Sequence, residues 1–190
     1  MNHYEQLRQR LSDFTLLTDD QWARFLSIVE PATYAKNTFL IEAGQVEQHI
    51  YYLADGLVRL SLNHDGKDVS IDFVFSQNLF SAYSSFLSQQ PSAFSVQALT
   101  SVSVLRFSRA NLHILYDESH QAERIGRLIA EQAFLRKTSR EVLFLTSTAK
   151  QRYVQLVEQN PHLVQLIAVK HLASYLGIEP ESLSRIRRGI

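Results

Sequence analysis

The chain has 190 residues, 19 basic and 19 acidic side chains, 45% hydrophobic residues and no cysteine. That length allows one large domain or a sensor with a small appendage, and the composition excludes disorder and fibres. Zero cysteine removes disulfides, thiolate nucleophiles, iron–sulfur clusters and Cys-ligated zinc in one step.

The net charge of zero conceals a gradient. Residues 1–116 carry 8 basic and 11 acidic side chains, residues 117–146 carry 5 of each, and residues 147–190 carry 6 basic against 3 acidic. A basic end of this kind points to a polyanionic partner. No apolar run approaches the roughly 18 residues of a membrane span, and MNHYEQLRQR is not a secretory signal. A cytoplasmic protein without a membrane partner is the expectation.

Residues 1 to about 30 read as helical. Leu7, Leu11, Trp22, Phe25, Leu26 and Val29 recur at helical spacing, and Thr18-Asp19-Asp20 offers a cap for a second helix. From Thr33 to Phe107 the pattern changes to short runs rich in Val, Ile, Tyr, Phe and Thr. The predicted strands are Thr38–Ile41, Ile50–Leu53, Val58–Leu62, Val69–Phe75, Phe94–Leu99 and Val102–Phe107. Breaks fall at Glu42-Ala43-Gly44, Ala54-Asp55-Gly56, Asn63-His64-Asp65-Gly66, Gln77-Asn78 and Gln89-Gln90-Pro91, where Asp-Gly pairs suit tight hairpins. Many short strands with regular turns predict a β-sandwich or barrel-like roll.

Past Arg109 the helical period returns. Leu112, Leu115 and Tyr116 mark a short helix, and Glu118 to Leu145 runs on with no glycine or proline after Gly126. Ile125, Leu128, Ile129, Gln132, Leu135, Val142 and Leu143 form a stripe at 3–4 spacing, which suits pairing with a second helix. A helix lying on its own roll is the other reading of that stripe. Ser147–Gln159 is a further helix ended by Asn160-Pro161. The expected division is a sensor roll with N-terminal helices over 1–116, a dimerisation helix over 117–146 and a helix-turn-helix unit over 147–190.

That last unit rests on spacing. Two closely crossing helices need a small residue at the contact, supplied by Ala173, and a left-handed turn position, supplied by Gly177. Leu172, Leu176, Ile178, Leu183 and Ile186 supply inward anchors, and Pro180 suits a first helical turn. Glu181, Ser182 and Arg185 then project from the start of the second helix. A glutamate there can accept from cytosine and an arginine can bridge guanine O6 and N7. Lys170, Arg187 and Arg188 suit phosphate contacts. An ordinary helical hairpin shares the Ala–Gly–Leu spacing, but it would bury apolar residues where this second helix is polar.

The run Leu-Gly-Ile-Glu-Pro-Glu-Ser-Leu-Ser-Arg-Ile-Arg resembles the DNA-reading helix pair of the Crp/Fnr transcription-regulator superfamily, with its E-x-x-S-R signature at Glu181, Ser184 and Arg185. Gly44, Gly56 and Gly66 fall where that family's cyclic-nucleotide-binding roll has its turn glycines. The resemblance implies an α+β fold: an eight-stranded double-stranded β-roll (a jelly roll), a long dimer helix and a small C-terminal helical unit. It also implies a homodimeric regulator that reads a two-fold operator in double-stranded DNA, with RNA polymerase as a further partner. A non-DNA β-roll interaction module or a cupin-like enzyme is the alternative class.

The sensor cassette departs from the family. Cyclic-nucleotide binders carry G-E-L and, about ten residues on, R-[ST]-A; the Glu takes the ribose hydroxyl and the Arg the cyclic phosphate. An ungapped reading puts Ser81-Ala82-Tyr83 and Ser92-Ala93-Phe94 at those places, so both charged ligand residues are gone. Cyclic AMP is therefore not the expected ligand. Ser81, Ser84, Ser85 and Ser92 can still bond an unidentified polar effector between walls of Tyr83, Phe86 and Phe94; alternatively these aromatics fill the roll. Thr138 and Ser139 fall near where the family's dimer helix offers a hydroxyl pair to the base. The family commonly adds a wing after the recognition helix; here Arg187-Arg188-Gly189-Ile190 predicts a helix of about ten residues with Gly189 as terminator.

Other chemistries lack support. The seven histidines (3, 49, 64, 113, 120, 162 and 171) show no ligand spacing, so no metal site or cofactor is expected. There is no G-x-S-x-G, P-loop or G-x-G-x-x-G, and no enzyme activity is expected. Iron–sulfur oxygen sensing and thiolate-held haem, both used within the family, need a cysteine this chain lacks.

Overall fold

Two capping boxes start the chain. Asn2 accepts from the Glu5 N–H and Thr18 from the Gln21 N–H, each with a return bond, and they launch α1 (His3–Ser12) and α2 (Asp19–Ser27). The computed structural model describes residues 2–159, 161 and 163–189; Asn160 of the expected break and His162 lie outside them.

Eight strands follow: β1 (Val29–Tyr34), β2 (Phe39–Ile41), β3 (His49–Asp55), β4 (Leu57–His64), β5 (Lys67–Phe75), β6 (Asn78–Phe80), β7 (Ser95–Ala98) and β8 (Val102–Ser108), with helix α3 (Tyr83–Ser88) between β6 and β7. They form two antiparallel sheets, ordered β1-β8-β3-β6 and β2-β7-β4-β5. The six predicted strands are all present. β1 and β6 are additions. Val29 extends the helical period of α2 in sequence but opens an edge strand that is too exposed to alternate cleanly, with Pro31 tolerated at the edge. β6 is three residues long and begins inside the predicted Gln77-Asn78 break.

The sheets enclose a core of Ile41, Tyr51, Leu53, Val58, Val74, Phe80, Val96 and Val104. Strand side chains alternate, and here both faces are covered. Tyr52, Ala54, Leu105 and Phe107 point the other way, into a second core with α1, α2, α3, α4 (Arg109–Glu118) and the start of α5 (His120–Thr146). That double burial is why β3 reads as the unbroken apolar run Ile50–Leu53. The β3–β4 hairpin is too tight for a side chain: a Cβ on Gly56, at φ +103°, would stand 2.6 Å from the Ser101 carbonyl oxygen.

The outer face of the second sheet carries the C-terminal helices α6 (Ala149–Gln159), α7 (Leu163–Leu166), α8 (Val169–Leu176) and α9 (Pro180–Arg188). Leu57 and Phe73 of the roll share a third core with Tyr153, Ile167, Leu172, Ala173, Leu176 and Leu183. The roll therefore supports a different helical layer on each face.

Helix α5 has 27 residues, about 40 Å at 1.5 Å per residue. Its first half lies on its own roll. Ala122 and Ile125 are buried there and Ile129 packs beside them. Ile125, predicted on the pairing face, is thus corrected to an intrachain core residue. The second half leaves the roll, with Phe134, Leu135, Val142, Phe144 and Leu145 exposed. The first half thus follows the reading of a helix on its own roll, and the second half presents exposed apolar side chains.

Candidate nucleic-acid interface and sensor site

The helix-turn-helix geometry follows from a few residues. Gly177 ends α8 in the left-handed conformation, φ 69° and ψ 36°, and the Ile178 N–H returns to the Ala173 carbonyl. Pro180 occupies the first turn of α9 as expected. Ala173 and Leu183 are fully buried where α8 meets α9, with Leu172, Leu176, Ile178 and Ile186 around them.

The opposite side of α9 is polar and open. Glu181, Ser184, Arg185 and Arg188 are exposed at i, i+3, i+4 and i+7, one helical face. Ser182 is half-buried and its hydroxyl accepts from Arg185 Nη2 at 3.1 Å, so it steadies the arginine rather than standing free. Ser184 Oγ donates to the Pro180 carbonyl at 3.0 Å. Lys170 is exposed at the start of α8. Arg187 turns inward, half-buried, with its guanidinium over the Tyr153 ring at 5.8 Å. Of the three predicted phosphate residues, Lys170 and Arg188 face outward.

Polar contacts fasten this unit to the roll, and no sequence signal marks them. Arg59 of β4 is 3% exposed and donates twice to Asp68, at 2.6 and 2.8 Å. Its other terminal nitrogen meets the His171 ring on α8. Burial, with Arg59 alongside, holds the His171 pKa below its ordinary value, so the neutral ring accepts from the arginine. Ser174 Oγ accepts from the Ser70 N–H at 2.9 Å. Nearby, Arg136 of α5 lies 3.5 Å from Asp72, and Arg140 stacks over Tyr175 at 4.5 Å. Roll, long helix and helix-turn-helix meet at this one junction.

Serines of the predicted sensor cassette are drawn into internal hydrogen bonds. Tyr83 starts α3 and packs, with Phe86, against the outer core rather than walling the roll interior. Ser81 Oγ donates to the His49 carbonyl, Ser85 Oγ to that of Gln90 and Ser92 Oγ to that of Phe94. Three of the four serines proposed as ligand groups are thus committed internally, while Ser84 and Ala93 are exposed. Thr138 and Ser139 are exposed on the second half of α5, and no hydrogen bond joins them to the cassette among the described residues.

A buried carboxylate, missed by the sequence reading, sits under this cassette. Glu47, 1% exposed, comes from the loop before β3. Its carboxylate accepts from the Gln48 and His49 N–H groups at 3.0 and 2.9 Å, from the Tyr51 hydroxyl at 3.2 Å and, at 3.4 Å, from the N–H of Ala82 at the start of α3. Its own N–H donates to Ser85 Oγ. Desolvation raises the Glu47 pKa above its ordinary 4.5 despite these bonds. The position was legible only as a charged residue two before an apolar strand, which ordinarily faces water.

This predicts a pH signature. Below pH 4.5 Glu47 is protonated folded and unfolded; as pH rises through its raised folded value, the native state alone bears a costly charge and stability falls. Glu47→Gln keeps the bonds from Gln48 and His49 and removes that charge. Its melting temperature relative to the parent should therefore be higher at pH 8 than at pH 5; an unchanged difference would refute the account.

Residues 31–119 match the family model described as the cyclic nucleotide-binding domain. Solved structures extend the likeness through the C-terminal helices. FixK2 from Bradyrhizobium japonicum is 17% identical, with 85% of this chain and 84% of that one covered and a TM-score of 0.75. The chain shares the fold of that protein. The c-di-GMP responsive global regulator CLP of Xanthomonas campestris is 17% identical over 88% of each chain, with a TM-score of 0.68. The Thermus thermophilus catabolite activator protein is 22% identical over 95% of this chain and 85% of its own, with a TM-score of 0.58. No curated protein matches in sequence. The carboxylate of Glu47 lies beside Ala82, within the stretch where the sequence reading places the cassette. No helix among the described residues is long and apolar enough to cross a membrane.

Proposed function

We propose that the chain is a DNA-binding transcription regulator that acts as a homodimer. The observation that carries this reading is the open polar face of α9, with Glu181, Ser184, Arg185 and Arg188 presented by a helix-turn-helix whose other face is a closed apolar core. Arg185, held by Ser182, reads a guanine; Glu181 accepts from cytosine; Arg188 and Lys170 bind phosphates. Leu128, Gln132, Leu135, Ser139 and Val142 follow one another at 3–4 spacing along α5, and the exposed apolar members of this stripe support a paired helix. Such a dimer sets two recognition helices in successive major grooves about 34 Å apart. Cyclic AMP is not its effector, because the cassette offers a phosphate no cation.

Two substitutions test the reading on a site selected from random duplexes. Arg185→Ala should relax preference at one base pair, at a cost of about 1–3 kcal/mol. Arg188→Ala should weaken all sequences about equally and lower the salt slope by about one. Absence of binding to any duplex at low salt overturns the proposal.

A further inference from the structure

The second half of α5 leaves the roll, yet one of its sides is occupied. Arg136, Arg140 and Phe144 stand four residues apart, so they share a face that lies away from the exposed stripe of Leu135, Ser139 and Val142. That face meets the rest of the chain at three successive levels. Arg136 Nη2 lies 3.5 Å from the Asp72 carboxylate of β5. Arg140 carries its guanidinium over the Tyr175 ring of α8 at 4.5 Å. Phe144 sits under Arg152, which also bonds the Leu176 carbonyl at the end of α8. Of the described residues 131–142, Arg140 alone is half-buried; the others are exposed.

Two contacts fix an orientation where one leaves a pivot. Arg152 pins the last turn of α5 to the last turn of α8 at one point. The Arg140–Tyr175 contact is a second point, one turn or about 6 Å back along α5. Tyr175 cannot follow a swinging α5, because its other side is against the roll. Its ring centroid is 5.3 Å from that of Phe73, with the planes tilted by 57°. Phe73 is itself buried in the third core with Leu172, Leu176 and Leu183, the residues that hold α8 and α9 together. Tyr175, wedged between Arg140 and Phe73, thus carries the angle between α5 and the second helix of the pair.

We propose that Arg140, acting through Tyr175, sets the half-site spacing that the dimer accepts. This rests on the regulator reading, in which paired α5 helices carry the two recognition helices. Arg140 faces Tyr175 rather than the open side of α9, so it is a positioning residue. With it in place, the two heads are held at one separation and one mutual rotation. A duplex with base pairs added or removed between its half-sites must then be twisted to fit. Without it, each head turns about the Arg152 pivot and meets a displaced half-site at less cost. A cation over an aromatic ring at a partly exposed site contributes roughly two- to fivefold in an equilibrium, and this contact occurs once in each protomer.

The test uses the full chain and duplexes carrying two copies of a half-site selected from random sequence. The copies are separated by the preferred spacer, or by one or two base pairs more or fewer; two base pairs are about a fifth of a turn. The parent should bind one spacer best and lose about tenfold or more at two base pairs off it. Arg140→Gln should bind a single half-site within twofold of the parent and keep its melting temperature. At the displaced spacers it should lose about threefold less than the parent does. Arg140→Lys, which keeps the cation, and Tyr175→Phe, which keeps the ring, should hold the parent's profile more closely than Arg140→Gln. A parent that binds every spacer equally, an Arg140→Gln profile as sharp as the parent's, or an equal loss at every spacer overturns the inference and leaves the regulator reading standing. A parent that binds no duplex at low salt overturns both.

Discussion

Asp68→Ala is expected to release the helix-turn-helix from the roll. Arg59 is 3% exposed because α8 covers it, and its charge is tolerated there only with Asp68 on one side and the neutral His171 ring on the other. Removing Asp68 leaves a covered guanidinium without its counter-charge. The Asp68 side chain is 55% exposed, so solvent already weakens the pair; a loss of about 1–3 kcal/mol is the expected scale. The chain has a cheaper response than unfolding: α8 lifts away and water reaches Arg59. Thermal unfolding should then split into two transitions, and proteases should cut near Ser147–Thr148 while the roll stays intact. Arg59→Met in the same chain should restore docking in part, because it removes the stranded charge. A single transition and unchanged proteolysis in Asp68→Ala would show that the apolar core alone holds the unit.

Acid should weaken the same contact. His171 has a lowered folded pKa, so its contribution is present above its ordinary 6.5 and is lost as pH falls through the lowered value. Protonation then sets an imidazolium against Arg59, with Lys170 adding repulsion and Asp68 offsetting part of it. Acid release of the α8–α9 unit from the roll is the expected consequence.

The parts of this molecule that show in its sequence are those made by near neighbours. Gly177 and Pro180 mark the helix-turn-helix because each does one local backbone task, and the apolar runs of β3, β4, β5 and β8 mark strands covered on both faces. β1 was missed because an exposed edge strand hardly alternates. α3 was missed because a serine-rich stretch of six residues carries no period. Glu47, Arg59 and His171 stayed silent for a different reason. Arg59 and His171 are 112 residues apart, and Glu47 reaches Ala82 across 35. A charged residue in a strand or before one reads as solvated until the chain folds something over it. The segment charges mark the C-terminal end as basic, yet Arg59, in the acidic roll, is the cation that anchors that end.

Gly177→Val is expected to do the most damage to DNA reading. A β-branched residue must adopt φ +69° there, a conformation costing roughly 1–2 kcal/mol for any side chain and more for valine. Its Cβ also meets the Phe144 ring at 2.7 Å, an exposed aromatic at the end of α5. Phe144 cannot move without cost, because Arg152 lies over its ring at 4.4 Å and bonds the Phe144, Ser147 and Leu176 carbonyls. That guanidinium ties the last turn of α5 to the last turn of α8, so a shift at the turn is transmitted to α5. Gly177→Ala, with the same Cβ but no branch, should lose less stability and some DNA affinity. Gly177→Val should abolish selective binding while the roll keeps its own melting transition. Arg152→Leu, which cuts the tie without straining the turn, separates the two causes: selective binding should weaken, with the fold of α8 and α9 retained. Selective binding by Gly177→Val at the parent's affinity would mean that the turn is built differently from this account.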